Sequence, residues 1–376
     1  MPMIISDGVR ECRSSRHPGE IRRESRRLPG TFGFPGNPRL LLVAFVLGLS
    51  FCLLPSTSLQ ARTLKIATIV PDGSSWLQEM RRAGKEIKER TQGRVKLKFY
   101  PGGVMGSDKT VMRKVRAGQL QGGAFTSGAL AAIYPDIELY SLPLLFRDYG
   151  EIDHVRQSLD AKLIEGLSKK GFEALAITDG GFAYVLSERP IQRVEDLKGN
   201  RVWLVEDDKM TAMALDIAGV SPVPLPVADV YTALQTGLVD TVAAPPMAAI
   251  AFQWHTRVKY LTEVPIMYLA GVLAVDKRAF ARISPADQAV VRAIVTGAGR
   301  RLDSQSRSGE QNALEALKNQ GIRFVQASSS AEVDRWRSIS AEAVTRLRAA
   351  DHYSKELMTE IQALLQAYRN GASSGE

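Results

Sequence analysis

What this chain has little of narrows its chemistry first. It holds two cysteines, Cys12 and Cys52, both in a stretch read below as a removable leader, so the rest can form no disulfide framework and run no thiol chemistry. Of four histidines, only His154, His255 and His352 lie beyond the leader, with no partner at metal-ligand spacing, and they read as solvated or capping side chains. No Gly-x-Ser-x-Gly elbow occurs. The glycine-rich GGVMGSD, residues 102–108, lacks the lysine and hydroxyl of a phosphate loop and reads as a turn into a helix. Asp207 and Asp208 stand at a helix start, where the macrodipole accounts for them. No cofactor is called for, and a secreted hydrolase is the weaker reading.

Acidic residues are scarce before position 40, where Asp7, Glu11, Glu20 and Glu24 face eight arginines and no lysine. An apolar run, residues 40–54, and the small polar Pro55-Ser56-Thr57-Ser58 follow, the order of a secretory signal peptide. At about 15 residues the run is short of the roughly 20 that span a bilayer. Cleavage is expected after Ala61, with Ser58 as the alternative. A twin-arginine signal at Ser25-Arg26-Arg27 is opposed by Pro29 and Gly30, which stand where apolar residues are needed. The bulky Phe51 before Cys52 opposes a lipoprotein signal. Without the leader's arginines the net charge of +9 thins to a dispersed excess, which is no nucleic-acid footprint. Export of a chain left without cysteine suits a bacterial periplasm.

With 376 residues there is length for two domains whose cores need no staples. From residue 63 the hydrophobic period alternates between two and 3.6. A strand at 64–70 precedes a helix capped by Ser74 or Ser75 with Trp76, Met80, Ala83 and Ile87 on one face. A strand at 95–100 and a helix ending at Gly118 follow. This β-α-β-α opening signals a doubly wound sheet, which binds ligands at the carboxyl ends of strands. Next come a helix near 161–170, strand segments at 173–178 and 182–186, and a strand at 202–205 led in by Asp196-Leu197-Lys198-Gly199. A helix at 208–218, a loop punctuated by Pro222, Pro224 and Pro226, and a helix at 230–236 capped by Asp229 follow. A strand at 241–244 leads to a helix carrying Phe252 and Trp254. A return strand at 272–275 precedes a long helix opened by Ser284-Pro285-Ala286-Asp287, a short strand at 322–325, and helix from 331 to the polar tail. The expected architecture is an α/β clamshell of two lobes sharing strands, closed on a ligand. Its divisions are 1–61 leader, 62–186 first lobe, 187–271 second lobe, 272–330 return strand and long helix of the first lobe, and 331–376 C-terminal helices and tail.

Four stretches in order, RTQGRVKLKFYPGGVMGSD from Arg90, SLPLLFRDYGEI from Ser141, RPIQRVEDLKG from Arg189 and above all PVPLPVADVYTALQTGLVD from Pro222, resemble the DctP-like solute-binding proteins of tripartite ATP-independent periplasmic (TRAP) transporters. The resemblance runs from about Leu64 to Phe324. It implies the periplasmic-binding-protein clamshell, no catalysis, periplasmic residence, and delivery of a solute to membrane permease subunits.

The departures fall at the ligand positions that the resemblance implies. An arginine that forks onto an organic acid's carboxylate is replaced by Trp203, an asparagine by Ala244, and a second arginine by Phe182. Arg201 cannot stand in, being two strand positions and about 6.5 Å away. Without the guanidinium fork a buried carboxylate goes unpaired, while Trp and Phe each add on the order of 150 to 250 Å² of apolar contact. The expected ligand is therefore largely apolar and lipid-like, a fatty acid, sterol or hopanoid with one polar end. Tyr231, Met247, Phe252, Trp254, Trp76 and Tyr184 are further wall candidates, each equally placed for core packing. The alternative is a dicarboxylate or keto acid held by a rearranged cation, Arg201, Lys209 or Arg257. The same departures resemble a subgroup associated with tetratricopeptide-repeat partners and hydrophobic ligands, so such a partner is the alternative to a permease.

Overall fold

The computed structural model describes residues 61–373; both cysteines and all of the expected leader except its last residue, Ala61, fall on residues 1–60, outside the described residues. The chain opens with β1 (Arg62–Thr68), α1 (Ser75–Arg90), β2 (Val95–Tyr100), α2 (Asp108–Arg116), β3 (Gly122–Thr126) and the short α3 (Ser127–Ala131). A 3-10 segment (Pro135–Ser141) leads to α4 (Tyr149–Lys169) and β4 (Phe172–Ser187). Then come β5 (Trp203–Val205), α5 (Lys209–Ile217), β6 (Val223–Leu225), α6 (Val230–Thr236), β7 (Thr241–Ala244) and α7 (Pro246–Ala251). The last part holds β8 (Tyr260–Asp276), α8 (Lys277–Ala281), α9 (Pro285–Asn319), β9 (Arg323–Val325), α10 (Ser330–Ala349) and α11 (Lys355–Ser373).

Seven strands make one mixed sheet in the order β2-β1-β3-β8-β4-β7, with β9 on β8; β5 and β6 form a parallel pair. An isolated bridge from Val202 to Thr241 ties that pair to β7. The large sheet is covered on both faces, and β8 shows why. Val272 and Ala274 enter one core while Leu273 and Val275 enter the other, the period of two of a strand buried on both sides. Beyond Gly271 β8 pairs with β3 and the first half of β4, and before it with the second half of β4 and with β9. Two long antiparallel strands thus run through both ends of the sheet.

Where sequence reading and structure differ, the cause is local. Segments 173–178 and 182–186 are one strand, β4, bulged between Asp179 and Gly181; Gly181 sits at φ +94°, a conformation that costs other residues. The return strand begins at Tyr260 rather than 272. The helix expected near 161 starts at Tyr149, its Asp148 side chain accepting from Glu151 N. Strand β6 lies in the proline-punctuated loop; Pro224 is tolerated because β6 is an edge strand. Phe252 is the C-cap of α7 and Trp254 opens a 3-10 turn, so no single helix carries both. Asp229 makes no side-chain cap, because a 3-10 turn (Val227–Asp229) runs straight into α6. The C-terminal helix breaks near Asp351, at φ +50°, into α10 and α11. Of the two serines offered, Ser74 caps α1, and Ser284 caps α9 as expected; Asp208, read as helical, is the N-cap of α5, accepting from Thr211 N.

Candidate functional site

The loops that leave β1, β3, β5 and β6 at their carboxyl ends meet around a cavity of about 340 Å³. Ile69 follows β1, Gly128 and Ala129 follow β3, Val205 ends β5, and Pro226, Val227 and Ala228 follow β6. Helix α2 adds Asp108, Met112 and Arg113. This is where parallel α/β sheets present ligand sites. Segments that follow strands of the two sheets meet across it. Lys109 Nζ lies 3.2 Å from Asp207 Oδ2, and a Cβ on Gly103 would stand 3.4 Å from Ala228 Cβ. Gly103 is at φ +70°, so GGVMGSD is a close-approach turn beside the cleft. The Lys109–Asp207 pair is exposed and worth at most about 1 kcal/mol. Lys109→Ala is therefore expected to leave the urea midpoint nearly unchanged; a large drop would show the pair to be structural.

Electrostatics in the cleft differ from a simple anion trap. Burial raises the Asp108 carboxyl to about 6, and its Oδ2 accepts weakly from Thr126 Oγ1 at 3.4 Å. Behind Gly128, Glu138 is pushed up to about 8 by burial and by the nearby Asp208 charge, while Tyr353 Oη donates to it at 2.9 Å. Burial also raises Asp208. A carboxyl whose folded pKa is raised keeps its proton longer when folded. Its contribution is full below the unfolded value, near 4.5 for Glu138, and fades as pH climbs through about 8. Glu138→Gln should flatten that decline and gain about 2 kcal/mol over the native chain near pH 8, read by urea unfolding at about pH 5 and about pH 8. An unchanged pH slope would remove Glu138 as its source. Arg113, donating to Thr110 Oγ1 at 3.1 Å, and Arg116 line the same cleft, both exposed.

The nine residues expected at the site divide. Trp203, Ala244, Tyr184, Tyr231, Phe252 and Trp254 join one apolar cluster. Trp203 meets Trp254 edge-on at 5.2 Å, and Phe252 stacks on Trp254 at 5.4 Å. The Trp203 indole N–H donates to Leu225 O at 3.0 Å. Phe182 lies instead between Tyr149 and Tyr268, at 5.1 and 5.9 Å; Tyr184, packed against both clusters, links them. Met247 is exposed on α7. Trp76 is separate, packed on Phe99 in the core under α1 at 6.4 Å, because its helix covers the opposite face. None of the nine lines the cleft, and of the nine only Trp203 borders a separate cavity of about 120 Å³.

The three candidate cations are also placed. Arg201 is held by Asp240 at 3.0 Å, Lys209 is exposed in the first turn of α5, and Arg257 donates to Tyr231 Oη at 3.1 Å. The three histidines beyond the leader, read as solvated or capping, are half-buried, and His255 Nδ1 meets the Ala249 carbonyl in the last turn of α7 at 3.1 Å; no group of three or more His, Cys, Asp or Glu side chains among the described residues could hold a metal. Sequence reasoning missed Asp108, Lys109, Arg113, Val205 and Val227 as cleft residues. The signal was present, since GGVMGSD and the proline-rich loop both follow strands.

Comparison with known proteins adds the following. The bacterial extracellular solute-binding protein family 7, DctP, matches residues 66–351. The 2,3-diketo-L-gulonate-binding periplasmic protein of Escherichia coli (strain K12) is 26% identical over 275 residues, 72% of this chain and 83% of its own. The sialic acid-binding periplasmic protein of Vibrio cholerae is 24% identical over 267 residues, 70% of this chain and 82% of its own. A TRAP periplasmic solute-binding protein from Polaromonas sp. JS666, bound to D-erythronate, superposes with a TM-score of 0.73 at 25% identity, covering 80% of this chain and 98% of that one.

Proposed function

Because the chain belongs to the DctP family of bacterial extracellular solute-binding proteins, matched over residues 66–351, and is a TRAP-type periplasmic solute-binding protein, we propose that its own ligand is largely apolar with one polar end. One observation carries the reading. The position that the resemblance gives to a carboxylate-pairing arginine is held by Trp203, whose indole N–H is already taken by Leu225 O. Ala244 packs in the same cluster, so neither of these two positions offers a donor to a carboxylate; the buried, unpartnered Nε of Arg257 beside Tyr231 is the donor that an acid ligand would need. Ile69, Met112, Ala129, Ile133, Val205 and Val227 supply apolar cleft walls, and Asp108 is placed to meet the polar end. Closure would bring residues 62–186 and 272–330 against 187–271, a division supported by β8 first meeting β3 at Gly271.

A second reading, a small organic or sugar acid, is favoured by Arg113 and Arg116 at the cleft and by the acids named for the relatives. Native mass spectrometry of the chain from about residue 62, followed by organic extraction, decides between them. A stoichiometric lipid-like mass supports the apolar ligand. A bound acid, or a thermal shift with D-erythronate or 2,3-diketo-L-gulonate and none with decanoate, overturns it. TRAP solute-binding proteins work with membrane permease subunits. A tetratricopeptide-repeat partner is the alternative receiver on the apolar reading, and co-purification from the native membrane and periplasm distinguishes the two.

A further inference from the structure

A second cavity lies away from the cleft, between helices α5 and α10 and the adjoining sheet, with a volume of about 120 Å³. Val185, Leu197, Val202, Leu215, Ile266 and Ile339 are among its walls. The cavity is partly open rather than enclosed. Leu197, Val202, Leu215 and Ala218 keep 8–9% exposure, whereas Ile191 in the same cluster keeps 0%. Native interiors carry few voids larger than a water molecule, and a void forfeits the dispersion contacts of its lining.

The polar groups around the cavity are spent, with one exception. Ser340 Oγ donates to Pro143 O, Thr241 Oγ1 donates to Asp240 Oδ1 at 3.0 Å, and the Thr211 hydroxyl is bonded to Asp208. Trp336 Nε1, on a lining residue, is buried without an acceptor. A buried donor left unmade is costly, and an apolar void is known to hold a benzene-sized guest at about 150 Å³. One guest could repair both defects.

We propose that this cavity is a binding site for a small apolar molecule carrying a single acceptor oxygen, which receives the Trp336 indole N–H while its hydrocarbon part fills the space among Val202, Leu215, Ile266 and Ile339. The site shares no lining residue with the cleft, although Trp203 borders this second cavity, and it does not rest on the ligand proposed for the cleft. Its occupant would buttress α5, the helix that begins just past the cleft residue Asp207.

The test uses the chain from about residue 62, with benzyl alcohol as probe and toluene as the comparator that lacks the oxygen. Titration is followed by the Trp336 indole resonance and the Ile266 and Ile339 methyl resonances. Saturable shifts at all three are expected, with benzyl alcohol binding about two- to tenfold tighter than toluene. Trp336→Phe should remove that preference, and Ala218→Leu, which fills the cavity, should remove binding of both. Absence of saturable shifts in the unaltered chain overturns the site, whether or not Ala218→Leu folds. Equal affinity for the two probes overturns the role of Trp336. Shifts confined to Val205 and Ile133 would place the probe in the cleft and overturn the proposal.

Discussion

Replacing Arg156 with alanine is expected to lower the free energy of unfolding by about 3 to 5 kcal/mol, the range for breaking a buried ion pair on one side. The guanidinium reaches Asp179 at 2.7 Å, Asp303 at 3.0 Å, Asp160 at 3.1 Å and the Ile177 carbonyl at 2.8 Å. Asp179 has a fully buried side chain, and it also receives Arg307 Nε at 2.5 Å and the Tyr268 hydroxyl. Burial raises Asp303, with the charge of Asp179 adding to it, so both carboxylates depend on their arginines. Losing Arg156 leaves more negative charge in the interior than Arg307 can hold. Arg156→Lys should fall between, since an ammonium cannot hold this planar set of partners. Urea denaturation at neutral pH measures both; a loss under about 1 kcal/mol for the alanine variant would mean that water replaces the guanidinium. The position matters because the network bolts the bulge of β4 to α4 and α9, midway along the strand that serves both ends of the sheet.

Trp203→Ala should cost a similar amount, about 3 to 5 kcal/mol, as truncations of large buried aromatics do. The loss combines the bond to Leu225 O, which ties β5 to β6, with the edge-on contact to Trp254. Trp203→Phe keeps much of the packing without the hydrogen bond and should recover most of the loss. The functional readout differs. Trp203 does not line the cleft, whereas Val205, two residues along the same strand, does. Affinity for the extracted ligand, measured below the unfolding transition, should therefore fall less than stability does. If affinity collapses while stability holds, Trp203 touches ligand directly.

These two residues mark how far sequence carries. Trp203 was legible because a charged turn leads into an apolar strand that this aromatic opens, at a position where the resemblance implies an arginine. Arg156 was not, because its partners Asp179 and Asp303 are far along the chain and nothing in the local pattern brings them together. Likewise the helix at 230–236 and the strands at 95–100 and 241–244 have their observed bounds, since hydrophobic period and glycine stops decide them locally. β4 was split in two by Gly180 and Gly181, which a bulge accommodates only when β8 lies alongside.

By itself the sequence determined the family, the alternation of strands and helices, and the Ser284 cap that opens the long helix. All three are written in residue types at short spacing. Tertiary structure alone decided which side chains surround empty space. It packed Trp203, Phe252 and Trp254 of the expected aromatic wall together while sending Phe182 and Trp76 to other cores, set Asp108 and the ends of β5 and β6 around the cleft, and left Trp336 beside a second cavity. Space is what remains after distant segments have packed, so no local pattern encodes it.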